Sequence, residues 1–110
     1  MSYNQRQHEG VSIIELSGEI DLSQSPIARQ QILGVIESGQ DLLVDMAAVS
    51  YIDSSGVASL VEGYQAARKN QRQFALVAVS NSAMSVLSLA RLDQVFPIYA
   101  SVDAYFQQDD

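Results

Sequence analysis

Apolar residues along this chain fall into two alternating patterns: short, nearly unbroken runs, and stretches where they recur at helical spacing. Val11 to Leu16 (Val-Ser-Ile-Ile-Glu-Leu) is short, β-branched and partly alternating, and predicts a strand ending at the turn signal Ser17-Gly18. The stretch Tyr3 to His8 is its expected pairing partner. Ser25-Pro26 then reads as a helix start. Proline at the first helical position gives up only an amide that lacks a partner there, and Ser25 offers a capping oxygen. Gly39 marks the stop. Between them Ala28, Ile32, Val35 and Ile36 share one helical face, which needs a sheet to cover.

Leu42 to Met46 is a brief apolar run, expected to lead through a short connection to Tyr51-Ile52-Asp53-Ser54-Ser55-Gly56, where capping residues precede a new helical pattern. Val57, Leu60, Val61, Tyr64 and Ala67 form its apolar stripe. This helix is expected to end in Arg68-Lys69-Asn70-Gln71-Arg72, where cations oppose the negative end of the helix dipole. The same cations admit a second reading, as a site for an anion or a partner. Phe74 to Val79 is uninterrupted and apolar, as in a strand buried on both faces. Ser80-Asn81-Ser82 predicts the cap of a third helix running to about Ala90. Leu92 to Ala100, with Pro97, predicts a short edge strand, Val102 to Phe106 a last short helix, and residues 107–110 a frayed tail. There is no internal repeat. The order predicts one α/β domain over residues 1–110, with a mixed central sheet of four to five strands and amphipathic helices packed against it.

A length of 110 residues suits one modest core. With 47% hydrophobic and 17% charged residues, the whole chain is expected to fold. No cysteine is present, which removes disulfides and thiolate metal sites. No apolar run approaches the ~18 residues of a membrane span, and Met1 to Gly10 is polar, so a soluble, cytoplasmic protein is expected. A formal net charge of -7 argues against nucleic acid and anionic membranes as direct partners and favours a basic or mixed-charge protein.

Catalysis finds little support. Nucleophilic serine chemistry needs a base within reach, and the only histidine, His8, lies in the polar N-terminal stretch. Lys69, the only lysine, is about four helical turns from Ser54. There is no phosphate-binding glycine loop, no hydrolase elbow, and no pair of residues at metal-ligand spacing. The expectation is therefore no enzyme activity and no cofactor. His8 reads as a surface residue of the first strand, and Met46 and Met84 as core filler.

Asp53-Ser54-Ser55-Gly56 remains. Its plain reading is an N-cap, since Asp53, Ser54 or Ser55 can each accept a bond from first-turn amides. The same physics allows a sharper reading. A phosphate on a hydroxyl here sits at the positive end of the helix dipole, among free amides, and leaves the fold intact. It adds about −1.5 to −2 units of charge beside Asp53, enough to displace a partner docked there.

With Asp-Ser-Ser-Gly in this setting, the chain resembles the STAS family, named for sulfate transporters and anti-sigma factor antagonists. The likeness spans about Gln7 to Phe106 and rests on three features. These are Leu16-Ser17-Gly18-Glu19-Ile20-Asp21 before the first helix, Leu43-Val44-Asp45 through Tyr51-Ile52-Asp53-Ser54-Ser55-Gly56-Val57 into the second, and Phe74-Ala75-Leu76-Val77 before the third. The middle one is the most specific. In family members that act as anti-sigma factor antagonists, the serine after the aspartate is phosphorylated by a partner that is both serine kinase and anti-sigma factor. The resemblance implies phosphorylation at Ser54, with Ser55 as second choice. It also implies partner contact through the Asp21, Asp53, Ser54, Ser55 and Gly56 loops, and reversal by a metal-dependent serine phosphatase. ATP and metal then belong to the partners. Asp53 is implied to orient the serine, and Gly56 to admit a partner's backbone or simply to allow a tight helix start. Asp21 is read first as fixing the turn ahead of Ser25 and second as a partner contact.

Two other functions fit the same family. A constitutive subunit or adaptor of a membrane transport complex needs a permanent interface but no modifiable hydroxyl, so the intact Asp53-Ser54 pair favours the switch. Nucleotide binding finds no phosphate-cradling motif. Arg91 stands where many relatives have glycine after the third helix, so a different turn is expected there.

Overall fold

In a computed structural model describing residues 2–108, the strands form one five-stranded sheet in chain order, β1-β2-β3-β4-β5. The elements are β1 (Asn4–His8), β2 (Val11–Ile20), α1 (Ser25–Glu37), β3 (Asp41–Ile52), α2 (Ser54–Lys69), β4 (Phe74–Val77), α3 (Asn81–Leu89), a 3-10 turn (Leu92–Gln94), β5 (Ile98–Tyr99) and α4 (Val102–Phe106). β1 and β2 are antiparallel, with His8 opposite Val11. The two residues between them, Glu9 (φ 51) and Gly10 (φ 81), both take positive φ, which matches the twist of a tight hairpin. Every other neighbouring pair is parallel.

Sequential parallel order has a consequence for the helices. Right-handed crossovers that always step the same way place their helices on the same face. Ala28, Ile32, Val35 and Ile36 of α1, Val57, Leu60 and Ala67 of α2, and Ala83 and Leu87 of α3 accordingly share one buried cluster with Ile14, Leu16, Leu42, Val44, Met46 and Leu76. Gly63 lets α1 and α2 close on each other, since a Cβ there would lie 2.5 Å from Ile32 Cγ2. The opposite face of the sheet is left to the C-terminal segment. Val11, Ile13, Leu43, Ala75 and Val77 are covered there by Tyr99, Val102, Tyr105 and Phe106. Met46 is fully buried and Met84 half-buried. His8 is half-buried on β1, with its ring edge-on to Phe106 at 4.9 Å.

Several boundaries differ from expectation. Ser17-Gly18 does not end β2. The strand runs on to Ile20, and Gly18 (φ 73) instead serves register shifts either side of it, at Glu15/Ser17 and Gly18/Glu19. β3 likewise continues past Met46 to Ile52, where a connection was expected, because Ala48 to Ile52 pair with Ser17 to Ile20. β4 stops at Val77, since Ala78 takes φ 52. Ser25 does not cap α1. The N-cap is Gln24 with no side-chain bond, and the amides of Ile27 (3.0 Å) and Ala28 (3.2 Å) that a Ser25 cap would hold donate to the Gln24 carbonyl instead. Ser80 does cap α3, accepting from the Ala83 amide. Arg91 occupies the left-handed region at φ 60, so the turn favoured by glycine is kept with an arginine in it. Part of the expected frayed tail is bonded: the Gln107 amide donates to Asp103 O at 3.0 Å, and the Tyr99 hydroxyl meets Gln108 Oε1 at 3.0 Å. Residues 109 and 110 lie outside the described residues. Among the described residues no helix is long and apolar enough to cross a membrane.

Candidate functional site

β2 and β3 are parallel neighbours, and their last residues, Ile20 and Ile52, are register partners. The two strands therefore release the chain side by side at the same edge of the sheet, where ligand and partner sites of open α/β sheets gather. The Asp53 amide donates to the Ile20 carbonyl at 3.3 Å, extending the ladder one step. Asp21 and Asp53, distant in sequence, thus become neighbours.

Both aspartates organise the turn that follows in the same way. Asp53 Oδ1 accepts the Ser55 amide (2.9 Å), the Ser55 hydroxyl (2.6 Å) and the Gly56 amide (3.1 Å). Asp21 Oδ1 accepts the Ser23 amide (3.0 Å), the Ser23 hydroxyl (2.6 Å) and the Gln24 amide (3.3 Å). The Ser55 hydroxyl foremost, with the amides of Gly56, Ser55 and Leu22, holds the Asp53 carboxyl below the usual carboxylate range, against partial burial. The Ser23 hydroxyl foremost, with the amides of Ser23 and Gln24, does the same for Asp21, opposed by burial and by the charge on Asp53. Both groups are ionised at neutral pH, so the site carries two negative charges.

The structure separates the two serines. Asp53 is the cap of α2, and the Ser55 hydroxyl is tied to it. Ser54, the first residue of the helix, is exposed, and among the described residues its hydroxyl makes no hydrogen bond. The first-turn amides are not free as expected. Those of Ser55 and Gly56 go to the Asp53 side chain and that of Val57 to the Asp53 carbonyl (3.0 Å). A group added to Ser54 would meet the helix dipole but also an ionised carboxylate that already holds the Ser55 and Gly56 amides.

Gly56 is buried, and its open side faces inward. A Cβ there would lie 2.7 Å from the Ile20 carbonyl oxygen and 2.6 Å from Ile52 Cγ1, so the glycine makes room for the chain's own strand ends rather than for a partner's backbone. One turn on, the buried Ser59 hydroxyl lies 3.2 Å from the carbonyls of both Ser25 and Ser55, bridging the starts of α1 and α2. A hollow between these helices is lined by Ser25, Arg29, Ser55, Ser59 and Glu62, with Arg29 Nε paired to Glu62 Oε2 at 2.8 Å.

Sequence reasoning missed Leu22, Tyr51 and Ser59. Leu22, the residue after Asp21, is 74% exposed, and Tyr51 is 50% exposed two residues before Asp53. Apolar surface therefore adjoins the charged turns. The signal for Leu22 was a lone leucine among turn residues, Asp21-Leu22-Ser23. His8 faces Val11, at the far end of β2, so no imidazole accompanies Ser54. Among the described residues no group of three or more His, Cys, Asp or Glu side chains is disposed to hold a metal ion.

This geometry has counterparts in known proteins. The chain is 26% identical over 102 residues to the anti-sigma-B factor antagonist of Bacillus subtilis (strain 168), covering 93% of this chain and 94% of that one. It is 28% identical over 94 residues to the anti-sigma F factor antagonist of Paenibacillus polymyxa, covering 84% and 80%. The crystal structure of an anti-sigma factor antagonist from Mycobacterium paratuberculosis superposes with a TM-score of 0.84 at 31% identity, covering 93% and 87%. These descriptions are regulatory, not enzymatic. The model of the STAS domain matches residues 2–105, and the chain belongs to that family.

Proposed function

We propose that this chain is an anti-sigma factor antagonist that works as a phosphorylation-gated partner switch. Unphosphorylated, it binds a protein that is both anti-sigma factor and serine kinase, through the surface around Ser54, Leu22, Tyr51 and the α1–α2 hollow. Phosphorylation of Ser54 releases that partner, and a metal-dependent serine phosphatase resets the cycle, with ATP and metal held by the partners. A cytoplasmic setting is part of this proposal. The relatives described as anti-sigma factor antagonists support it.

The observation that carries the reading is the contrast between the two hydroxyls. Ser54 is exposed and unbonded at the first position of α2, whereas Ser55 donates to Asp53 at 2.6 Å. A kinase can reach the first without dismantling the cap. Because Asp53 is ionised and already holds the amides of Ser55, Gly56 and Val57, a phosphate on Ser54 adds about −1.5 to −2 units of charge that these amides do not neutralise. Like charges at a docking face are repulsive, and a partner held there by complementary charge is expelled without unfolding.

The test is phosphopeptide mapping, by mass spectrometry, of protein isolated from its own cells under several growth conditions, followed by binding assays with the kinase so identified. One phosphate on Ser54 that varies with conditions is expected. Ser54→Ala should keep partner affinity, and Ser54→Asp should lower it by about tenfold or more. Equal affinity of both variants would sink the switch. No phosphate at any condition would favour the constitutive adaptor of a membrane transport complex instead.

A further inference from the structure

We propose that the groove between α2 and the 3-10 turn is a second docking surface, and that its occupant is an acidic amphipathic segment of a partner protein. Val61, Tyr64, Gln65 and Arg68 of α2, with Leu92 and Val95, enclose about 320 Å³. That volume suits the side chains of a docked segment better than a large cofactor. The walls are apolar yet open: Val95 is 48% exposed, and Leu89, just before this turn at the end of α3, is 88% exposed.

Charge selects the occupant. The chain has 6 Lys and Arg against 13 Asp and Glu. Arg6, Arg29 and Arg72 are each paired, with Glu15, Glu62 and Asp41. Among the described residues Arg68, Lys69 and Arg91 make no ion pair. Arg68 lines the groove, its guanidinium 5.8 Å from the centre of the Tyr64 ring, and Arg91 directly precedes Leu92. Asp93 is the one carboxylate of the segment from Arg91 to Val95. The helix dipole accounts for cations in the last turn of α2, but not for the apolar groove beside them. Arg68 in the groove wall, with Lys69 and Arg91 next in sequence to lining residues, attracts carboxylates that flank aliphatic side chains. The choice is local, made by Arg68 in the groove wall rather than by the net charge of the chain: a basic segment meets a like charge there.

The groove is separate from the switch. At about 1.5 Å rise per residue, Arg68 lies about 20 Å along α2 from Ser54. A partner held here stays bound whatever the state of Ser54, so this proposal stands apart from the gating one.

The experiment pans two libraries of amphipathic helices of about 15 residues on the full chain. Both carry an aliphatic stripe. One has Glu and Gln at its polar positions, the other Lys and Gln. Binders are expected from the acidic library alone, shifting the NMR resonances of Tyr64, Leu92 and Val95. Arg68→Glu and Val95→Asp, both surface changes, should weaken them by about tenfold or more, while Ser54→Asp leaves them unchanged. Equal recovery from both libraries, no binders from either, or insensitivity to Arg68→Glu would overturn the proposal. So would a concentration-dependent dimer in sedimentation that Val95→Asp dissolves, since the occupant would then be a second copy.

Discussion

The turns after β2 and after β3 have the same skeleton and different contents. In each, an aspartate at the end of a parallel strand accepts two amides and one hydroxyl, from Asp21-Leu22-Ser23-Gln24 in one and Asp53-Ser54-Ser55-Gly56 in the other. The bonded positions match: Ser23 with Ser55, and Gln24 with Gly56. The middle residue, which the skeleton leaves facing solvent, is leucine in one turn and serine in the other. The comparison separates what builds a turn from what it displays. Asp-x-Ser builds it, and the x position is free to carry function.

The largest effect is expected where the two turns diverge in packing. Gly56→Ala pushes a methyl group to 2.7 Å from the Ile20 carbonyl, a backbone atom that cannot turn aside. The expected cost is roughly 1–3 kcal/mol or more, read as a lower midpoint in urea unfolding. Gln24 at the matching position is half-buried and its side chain makes no cap bond, so Gln24→Ala, which keeps its backbone bonds, should stay within about 0.5 kcal/mol. A Gly56→Ala variant as stable as the parent would show that the strand ends and α2 are not rigidly packed there.

Removing the aspartates comes next. Asp53→Ala takes the cap from α2, a 16-residue helix, whereas Asp21→Ala loosens a turn whose backbone bonds to Gln24 and Ser25 remain. Both should lower the thermal midpoint, Asp53→Ala more. The pH dependence follows from the same bonds. Both carboxyls titrate below their unfolded values, so they contribute stability that is present above about pH 4 and lost as pH falls through the folded values. In the double variant Asp21→Asn, Asp53→Asn, that acid limb of stability should flatten. An unchanged limb would assign acid sensitivity to other carboxylates.

How far these turns were legible follows from the same distinction. Local patterns carried well: the Ala28, Ile32, Val35 and Ile36 face, the Ser80 cap and the short α4 all stand where spacing and capping chemistry put them. What failed depended on a neighbour. Ser17-Gly18 has the composition of a turn, and only pairing with Ala48 and Val49 keeps it in a strand. Ser25 has the chemistry of a cap, but the Gln24 carbonyl takes the amides of Ile27 and Ala28 that it would hold. Asp53, Ser54 and Ser55 were all eligible caps, and the choice fell to the one leaving Ile52 in register with Ile20. Ser59 bridges two helix starts that sequence alone does not bring together. The site was readable as a motif, whereas its exposed leucine was not, because exposure is a property of the folded surface.

The smallest effect on stability is expected at the displayed positions, and this makes them the sharpest probe of the comparison. Leu22 and Ser54 are both exposed, and neither side chain is part of the aspartate's bonds. Leu22→Ser and Ser54→Ala should each change unfolding free energy by no more than about 0.5 kcal/mol. Their effects on partner affinity should differ. Ser54→Ala adds no charge and keeps the affinity, while Leu22→Ser removes apolar area from the docking face and should weaken binding by about tenfold, as the loss of a contact residue at an interface centre does. If Leu22→Ser lowers stability instead, Leu22 belongs to the skeleton and the two turns are not equivalent. If it changes neither, the partner docks on Ser54 and α2 without reaching across to the first turn.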